Sequence, residues 1–313
     1  MRSRTAAVCA AALIGAAAFT PLSAQAADEV PGTLIVMGDT NPTTLTGVSQ
    51  AAYTMTGHHN QQIVAVTTTG AVDFSYQPWT GVWRSWQTLA QPGVTVKGVG
   101  IAGMPDGSSQ LIEVTSTGQL LHTIRNNDTT WQAGWASPAG STGFKQAAIT
   151  AMPDGSAQLV AVTTSGVLMH NIRFANGSWQ GWRALSQPGV TVTDASIAGL
   201  EDGTAQIIEV TSTGVLKHNL REANGSWQTG GWGTPSGATG ITQATITGID
   251  ATGSEIAALL PDGLVETVDR NPDGSWTGWT EQEKNDPDPV TFSYVYVGGH
   301  PVYHSEQIEV TSN

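Results

Sequence analysis

The sequence predicts an all-β fold, a β-propeller built of four-stranded blades, and three observations carry that prediction. Segments recur with a spacing of 48 residues, marked by Asp106, Asp154 and Asp202, each followed by glycine. Within each segment apolar and polar residues alternate at period two, the pattern of a half-buried strand. The chain also ends in "SEQIEVTSN", a first strand that stops where the other copies continue into a hairpin glycine, and the early segment "PGTLIV" (31–36) supplies that glycine and the strand after it.

The elements of one blade follow in order. The stretches "SSQLIEVTSTGQLLHTIR", "SAQLVAVTTSGVLMHNIR" and "TAQIIEVTSTGVLKHNLR" match almost residue for residue, with "NQQIVAVTTTGAVDFSYQ" before them and "GSEIAALLPDGLVETVDR" after them as weaker copies. Each begins with a strand and reaches a glycine (Gly70, Gly118, Gly166, Gly214, Gly263) where a tight hairpin needs positive φ. A second strand runs to an arginine position. A turn such as Asn176-Gly177, a Trp-bearing third strand, a Gly/Pro connection and a fourth strand such as "DASIAGL" complete the unit.

Five full units and one composite unit shared by the termini give six blades, with residues 306–313 pairing with 32–38 to close the ring. The residues from Ala27 to Asn313, divided by the period, also give about six blades. A ring of five blades is the alternative, and it leaves the terminal strands without partners.

Arg2 and Arg4, an apolar run from Ala6 to Phe19, and Ala24-Gln25-Ala26 read as a secretory signal (1–26) cut after Ala26, leaving 27–313 as a single propeller domain. The exported chain is expected to be extracellular and not inserted in a membrane. Loss of Arg2 and Arg4 takes the formal charge from −13 to −15, a balance that disfavours phosphate backbones and anionic lipid. Cys9, the only cysteine, falls in the signal, which removes disulfides, thiol nucleophiles and thiolate metal ligands from the mature chain. His/Cys spacing supports no metal site, no cofactor is indicated, and an oligomer is compatible with the sequence but not indicated by it. Acidic turns at Asp106, Asp154 and Asp202 read as solvated turns before they read as calcium loops.

Counted from the hairpin glycine, a tryptophan stands at +13 in all five units: Trp83, Trp131, Trp179, Trp227 and Trp276. A constant offset suggests packing between blades. The second tryptophan varies, at +16 (Trp86, Trp182, Trp279), +17 (Trp135) and +18 (Trp232), and is the better pocket candidate. Aromatic faces suit sugars, whose C–H faces are apolar. His122, His170 and His218 at +4 read either as hydrogen-bonded packing residues or as ligand contacts. Arg125, Arg173 and Arg221 at +7 read as solvated or paired, or as hydroxyl-binding donor forks. Asn127, Asn176 and Asn224 match glycan-acceptor sequons, and the Asn-Gly pairs at 176 and 224 are better explained as turns.

The stretch "DGSAQLVAVTTSGVLMHNIRFANGSWQGWRALSQPG" strongly resembles the repeat of the PLL-like lectin propellers, with their Asp-Gly start, Gly-x-Leu-x-His hairpin and Gly-x-Trp-x-Gly-Trp strand. Tectonin-type lectin propellers are a looser match. The resemblance covers about residues 56–313 and is densest over 104–249. It implies a secreted lectin that binds monosaccharide units between blades. The family's usual tryptophan before the hairpin histidine is replaced here by Leu121, Met169 and Lys217, and PLL-type propellers mostly have seven blades.

The functional expectation is a secreted, multivalent, non-catalytic carbohydrate-binding propeller, with Trp135, Trp182 and Trp232 as platforms, Arg125, Arg173 and Arg221 as donors, and glycans or glycoconjugates as partners. A protein-interaction scaffold without sugar affinity is the alternative. A sialidase-like glycosidase fits less well, because the arginines repeat at one offset and so disperse around the ring instead of converging on a single centre.

Overall fold

The computed structural model describes residues 34–37, 45–89, 91, 93–185, 187–281, 292–300 and 304–311; the expected signal segment lies outside them. The chain begins with β1 (Leu34–Met37). Blade one follows as β2 (Val48–Met55), β3 (Gln61–Thr67), β4 (Val72–Gln77) and β5 (Gln87–Thr88), and blade two as β6 (Val96–Gly103), β7 (Ser109–Thr115) and β8 (Leu120–Arg125). Blade three comprises β9 (Phe144–Ala151), β10 (Ala157–Thr163), β11 (Leu168–Arg173) and β12 (Arg183–Ala184); blade four comprises β13 (Val192–Gly199), β14 (Ala205–Thr211) and β15 (Leu216–Arg221). Blade five comprises β16 (Gln243–Gly248), β17 (Ser254–Leu259), β18 (Val265–Arg270) and β19 (Thr280–Glu281), after which come β20 (Phe292–His300) and β21 (His304–Thr311).

Every sheet is antiparallel, those of blades one to five being meanders of consecutive strands, and the strands β2, β6, β9, β13, β16 and β20 are innermost. Each of these packs against the next and β20 packs against β2, so the sheets close into a ring. The inner strands approach too closely for side chains at some positions. A Cβ on Gly103 would fall 2.2 Å from the Met55 carbonyl oxygen, and one on Gly199 would fall 2.2 Å from that of Ala151. Threonines on the preceding strand use the same proximity: Thr54 Oγ1 accepts from Gly103 N at 2.7 Å, and Thr150 Oγ1 from Gly199 N at 2.8 Å.

The closing sheet has the order β1-β21-β20 and is made from both ends of the chain. Leu34 pairs with Val310 and Met37 with Gln307, which is the terminal pairing the sequence predicts. The expected count of six four-stranded blades is corrected to five blades of continuous chain plus this three-stranded composite sheet. The strand "DASIAGL", expected to complete the unit before it, is instead part of β13, the innermost strand of the following blade, and the strand expected to complete the composite is β2, the innermost strand of blade one.

Blades two and four also lack a regular outer strand. Their Trp segments pair with the sheet through isolated bridges, Arg125–Trp131, His122–Ala136, Arg221–Trp227 and His218–Gly233, instead of a continuous ladder. The sequence explains this. Blades one, three and five place the second tryptophan at +16 and form β5, β12 and β19, whereas blades two and four carry one and two extra residues before Trp135 and Trp232. The insertion breaks the ladder register, as a bulge does.

The core is a set of clusters between adjacent blades. Val64, Val66, Val72 and Phe74 of blade one meet Val96, Val99, Ile101 and Leu111 of blade two, and Val160, Val162 and Leu168 of blade three meet Val192, Ile197 and Ile207 of blade four. Period two puts alternate residues of each strand into successive clefts, so both faces of every sheet are buried.

Candidate binding clefts between blades

The local chemistry of the turns positions the recurrent side chains. In Asn176-Gly177-Ser178 the Asn176 Oδ1 accepts from Ser178 N at 3.0 Å and Ser178 Oγ at 2.7 Å, and Gly177 has φ +86°. Asn224 makes the same turn. Asp106, Asp154 and Asp202 accept from the backbone and hydroxyl of Ser108, Ser156 and Thr204 in the same way. Among the described residues no group of three or more His, Cys, Asp or Glu side chains is arranged to hold a metal ion.

Period two on β11 sends His170 toward the following blade and Met169 and Arg173 toward the preceding one. The +13 tryptophans of blades three, four and five then meet the histidine of the blade before, edge to face: His122 with Trp179 at 5.3 Å and 88°, His170 with Trp227 at 5.7 Å and 79°, His218 with Trp276 at 5.2 Å and 83°. In blade one Phe74 replaces the histidine and meets Trp131 at 5.1 Å and 83°.

The three histidines are buried and each shares a 3.0 Å hydrogen bond with a glutamine, Gln110, Gln158 or Gln206. Gln206 Oε1 also accepts from Ser254 Oγ at 2.7 Å while its Nε2 donates to the Thr252 carbonyl, so His218 Nε2 must carry the proton. Burial, with the arginine of the next blade adding to it, pushes all three imidazoles down to about 3. The packing reading of His122, His170 and His218 is therefore the one their surroundings match; they are neutral posts inside the cleft.

The arginines are not equivalent. Arg125 is buried and stacked on aromatic rings of blade one, 4.3 Å from the Tyr76 centroid and 5.3 Å from that of Phe74. Arg173 and Arg221 are half-buried, each folded over its own turn glycine, Gly177 or Gly225, and Arg221 also feels Asp154 of the preceding blade. Burial lowers all three guanidinium values without removing their charge.

Trp135, Trp182 and Trp232 are half-buried and pack against the cleft clusters on the same side as the +13 tryptophans. Trp182 Nε1 donates to Ser141 Oγ at 2.9 Å, and its counterpart Trp279 donates to the Ser236 carbonyl at 3.0 Å. The clefts carrying Trp135 and Trp232 contain something the sequence reading passed over. Gln91 Nε2 donates to Glu113 Oε2 and Gln187 Nε2 to Glu209 Oε1, both at 2.6 Å, and Lys217 Nζ donates to Gln187 Oε1 at 2.8 Å. Burial pushes both glutamates up to about 7, with the glutamine hydrogen bonds opposing it and Lys217 opposing it further at Glu209. The signal was in the sequence: "IEVTSTG" and "QPGVTV" each recur after 96 residues, twice the blade period, at Glu113 and Glu209 and at Gln91 and Gln187.

A separate cavity of about 240 Å³ opens on the ring axis, lined by Tyr53, Ile101, Ile149, Ile197, Ile246 and Tyr296 among others. Its wall mixes aliphatic side chains with polar groups such as Thr54, Thr150, Glu201 and Thr247, and the recurrent Trp, Arg and His side chains lie elsewhere.

No protein-family model matches the chain, and no curated protein matches its sequence. Solved structures do match its fold. The BP39L lectin from Burkholderia pseudomallei aligns with a TM-score of 0.61 at 14% identity over 82% of this chain and 78% of the lectin. AofleA from Arthrobotrys oligospora aligns with 0.61 at 12% identity over 84% and 80%. The Aleuria aurantia lectin, a six-bladed propeller described with a novel fucose recognition mode, aligns with 0.57 at 12% identity over 79% and 83%. At these identities the likeness establishes the β-propeller fold.

Proposed function

We propose that this chain is a secreted, non-catalytic, multivalent glycan-binding propeller of the PLL-like kind. The observation that carries the reading is the recurrence, in successive clefts, of a half-buried second indole at Trp135, Trp182 and Trp232 beside a hydrogen-bonded polar lining. An indole face takes the apolar side of a pyranose while neighbouring polar groups meet its hydroxyls. Half-buried Arg173 and Arg221 serve as further donors, whereas Arg125 acts through its stacking on Tyr76. Several weak sites on one rigid ring gain by avidity toward a surface that presents many copies of a glycan. The lectin propellers that share the fold support this reading, as does the dispersal of the recurring arginines over different blades, which suits repeated binding better than one catalytic centre.

A scaffold reading draws on one observation, the exposure of Trp79 (66%) and Val82 (73%) on blade one, an apolar pair suited to a protein contact. A printed glycan array separates the two. The lectin reading expects binding to at least one glycan class that the free sugar inhibits; an array without signal leaves the scaffold.

A further inference from the structure

The two-blade alternation divides the clefts into two kinds. In one kind the connection between blades contains Gln-Pro-Gly-Val, a turn closed by Val94 N to Gln91 O and by Val190 N to Gln187 O, both at 3.1 Å. Gly93 and Gly189 sit at φ +79° and +78°, the third position of a Pro-Gly turn. This places the glutamine at the head of the turn, from which its amide reaches the middle strand of the next blade and holds Glu113 or Glu209. In the other kind the turn is headed by Pro138 or Pro235, and the glutamate position is Ala161 or Ala257.

The polar balance differs accordingly. Glu113 and Glu209 are 0% and 1% exposed, yet Glu113 Oε1 and Glu209 Oε2 have no hydrogen-bond partner among the described residues. A buried carboxylate oxygen left unpaired is costly, and packing does not require it, since alanine fills the same position in blades three and five. No hydrogen bond from the Trp135 or Trp232 indole N–H is present among the described residues either, whereas Trp182 and Trp279 are tied to the connection that covers them. Each glutamate cleft thus keeps an unused acceptor and an unused donor. In the alanine clefts the carboxylate acceptor is absent and the indole donor is already used.

We propose that the clefts between blades one and two and between blades three and four are the glycan-binding ones, where Glu113 with Gln91 and Glu209 with Gln187 receive adjacent hydroxyls of a neutral pyranose against Trp135 and Trp232. The inference rests on the glycan reading above and narrows it. A carboxylate oxygen accepts from one hydroxyl and the amide donates to its neighbour, a pairing that matches a vicinal diol, and the glutamine side chain swings aside on its turn to admit the ring. Lys217 adds a donor beside Glu209, where Leu121 stands beside Glu113, so the second cleft binds more tightly. The composite sheet repeats the register: Glu309 pairs with Val295 as Glu113 does with Val99 and Glu209 with Ala195.

The test is dose–response binding of the full mature chain to a printed array of neutral mono- and oligosaccharides, with Glu113→Gln/Glu209→Gln and Gln91→Ala/Gln187→Ala variants alongside and a thermal melt of each. The proposal expects both double variants to melt cooperatively and to bind about tenfold or more weakly, the first through loss of a charged acceptor and the second through loss of the amide donor. A parent that binds while folded double variants bind equally well overturns the assignment of the clefts and leaves the glycan reading standing. A parent that binds no sugar overturns both.

Discussion

The His122 imidazole of blade two stands edge-on to the Trp179 indole of blade three, ring centroids 5.3 Å apart at 88°, while its Nε2 shares a 3.0 Å hydrogen bond with Gln110. One residue therefore joins the polar pairing within a blade to the aromatic contact between blades. Replacing His170, its counterpart, with alanine strands Gln158 Oε1 in the core and removes the contact with Trp227. The expected cost is about 2–4 kcal/mol of folding stability, read by denaturant titration. A loss within error would mean that these histidines are not structural posts.

Stability should peak at mildly acidic pH. His122, His170 and His218 have folded values pushed down to about 3, so the unfolded chain takes up their protons first and stability falls as pH drops from about 6.5 toward 3. Glu113, Glu209, Glu255 and Asp194 have values pushed up to about 7 by burial, so their contribution is fully present below about 4 and is lost as pH rises through 7. Melting temperature against pH checks both limbs, and Glu113→Gln/Glu209→Gln should flatten the rise-side loss between pH 5 and 7 without touching the acid limb.

Deleting residues 306–313 removes most of β21, the middle strand of the closing sheet, and leaves β1 and β20 without their shared partner. The truncated chain should melt about 10 °C or more below the parent or aggregate through the freed edges. A melt unchanged from the parent's would show that ring closure does not depend on the chain ends.

Much of this architecture was legible in the sequence because it is local and repeated. Gly70, Gly118, Gly166, Gly214 and Gly263 all adopt positive φ, as hairpins of this kind require, and the pairing of the termini followed from one strand stopping where another began. The fixed +13 offset correctly marked tryptophans that pack between blades. What escaped was relational. Nothing near Arg125 in the chain announces that Tyr76 of the preceding blade will stack on its guanidinium, a contact that exists only once two blades meet. The second tryptophan's varying offset marks an alternation between blades, and Trp135 and Trp232 share their clefts with Glu113 and Glu209 because these features recur every two blades.

Trp182→Phe keeps an aromatic face but loses the 2.9 Å hydrogen bond to Ser141 Oγ, and should cost about 1 kcal/mol of stability with little effect on its neighbours. Chemical denaturation checks it, and a gain in stability would place the indole outside the cleft.

The central claim, that the clefts hold sugars on their second tryptophans, is tested most directly by calorimetric titration of the strongest array glycan into the parent and into the Trp135→Ala/Trp182→Ala/Trp232→Ala variant. The account predicts a folded variant whose sites each lose about 1–2 kcal/mol, a weakening of about 5- to 30-fold. Unchanged affinity in a folded variant would contradict it and assign these tryptophans to packing alone.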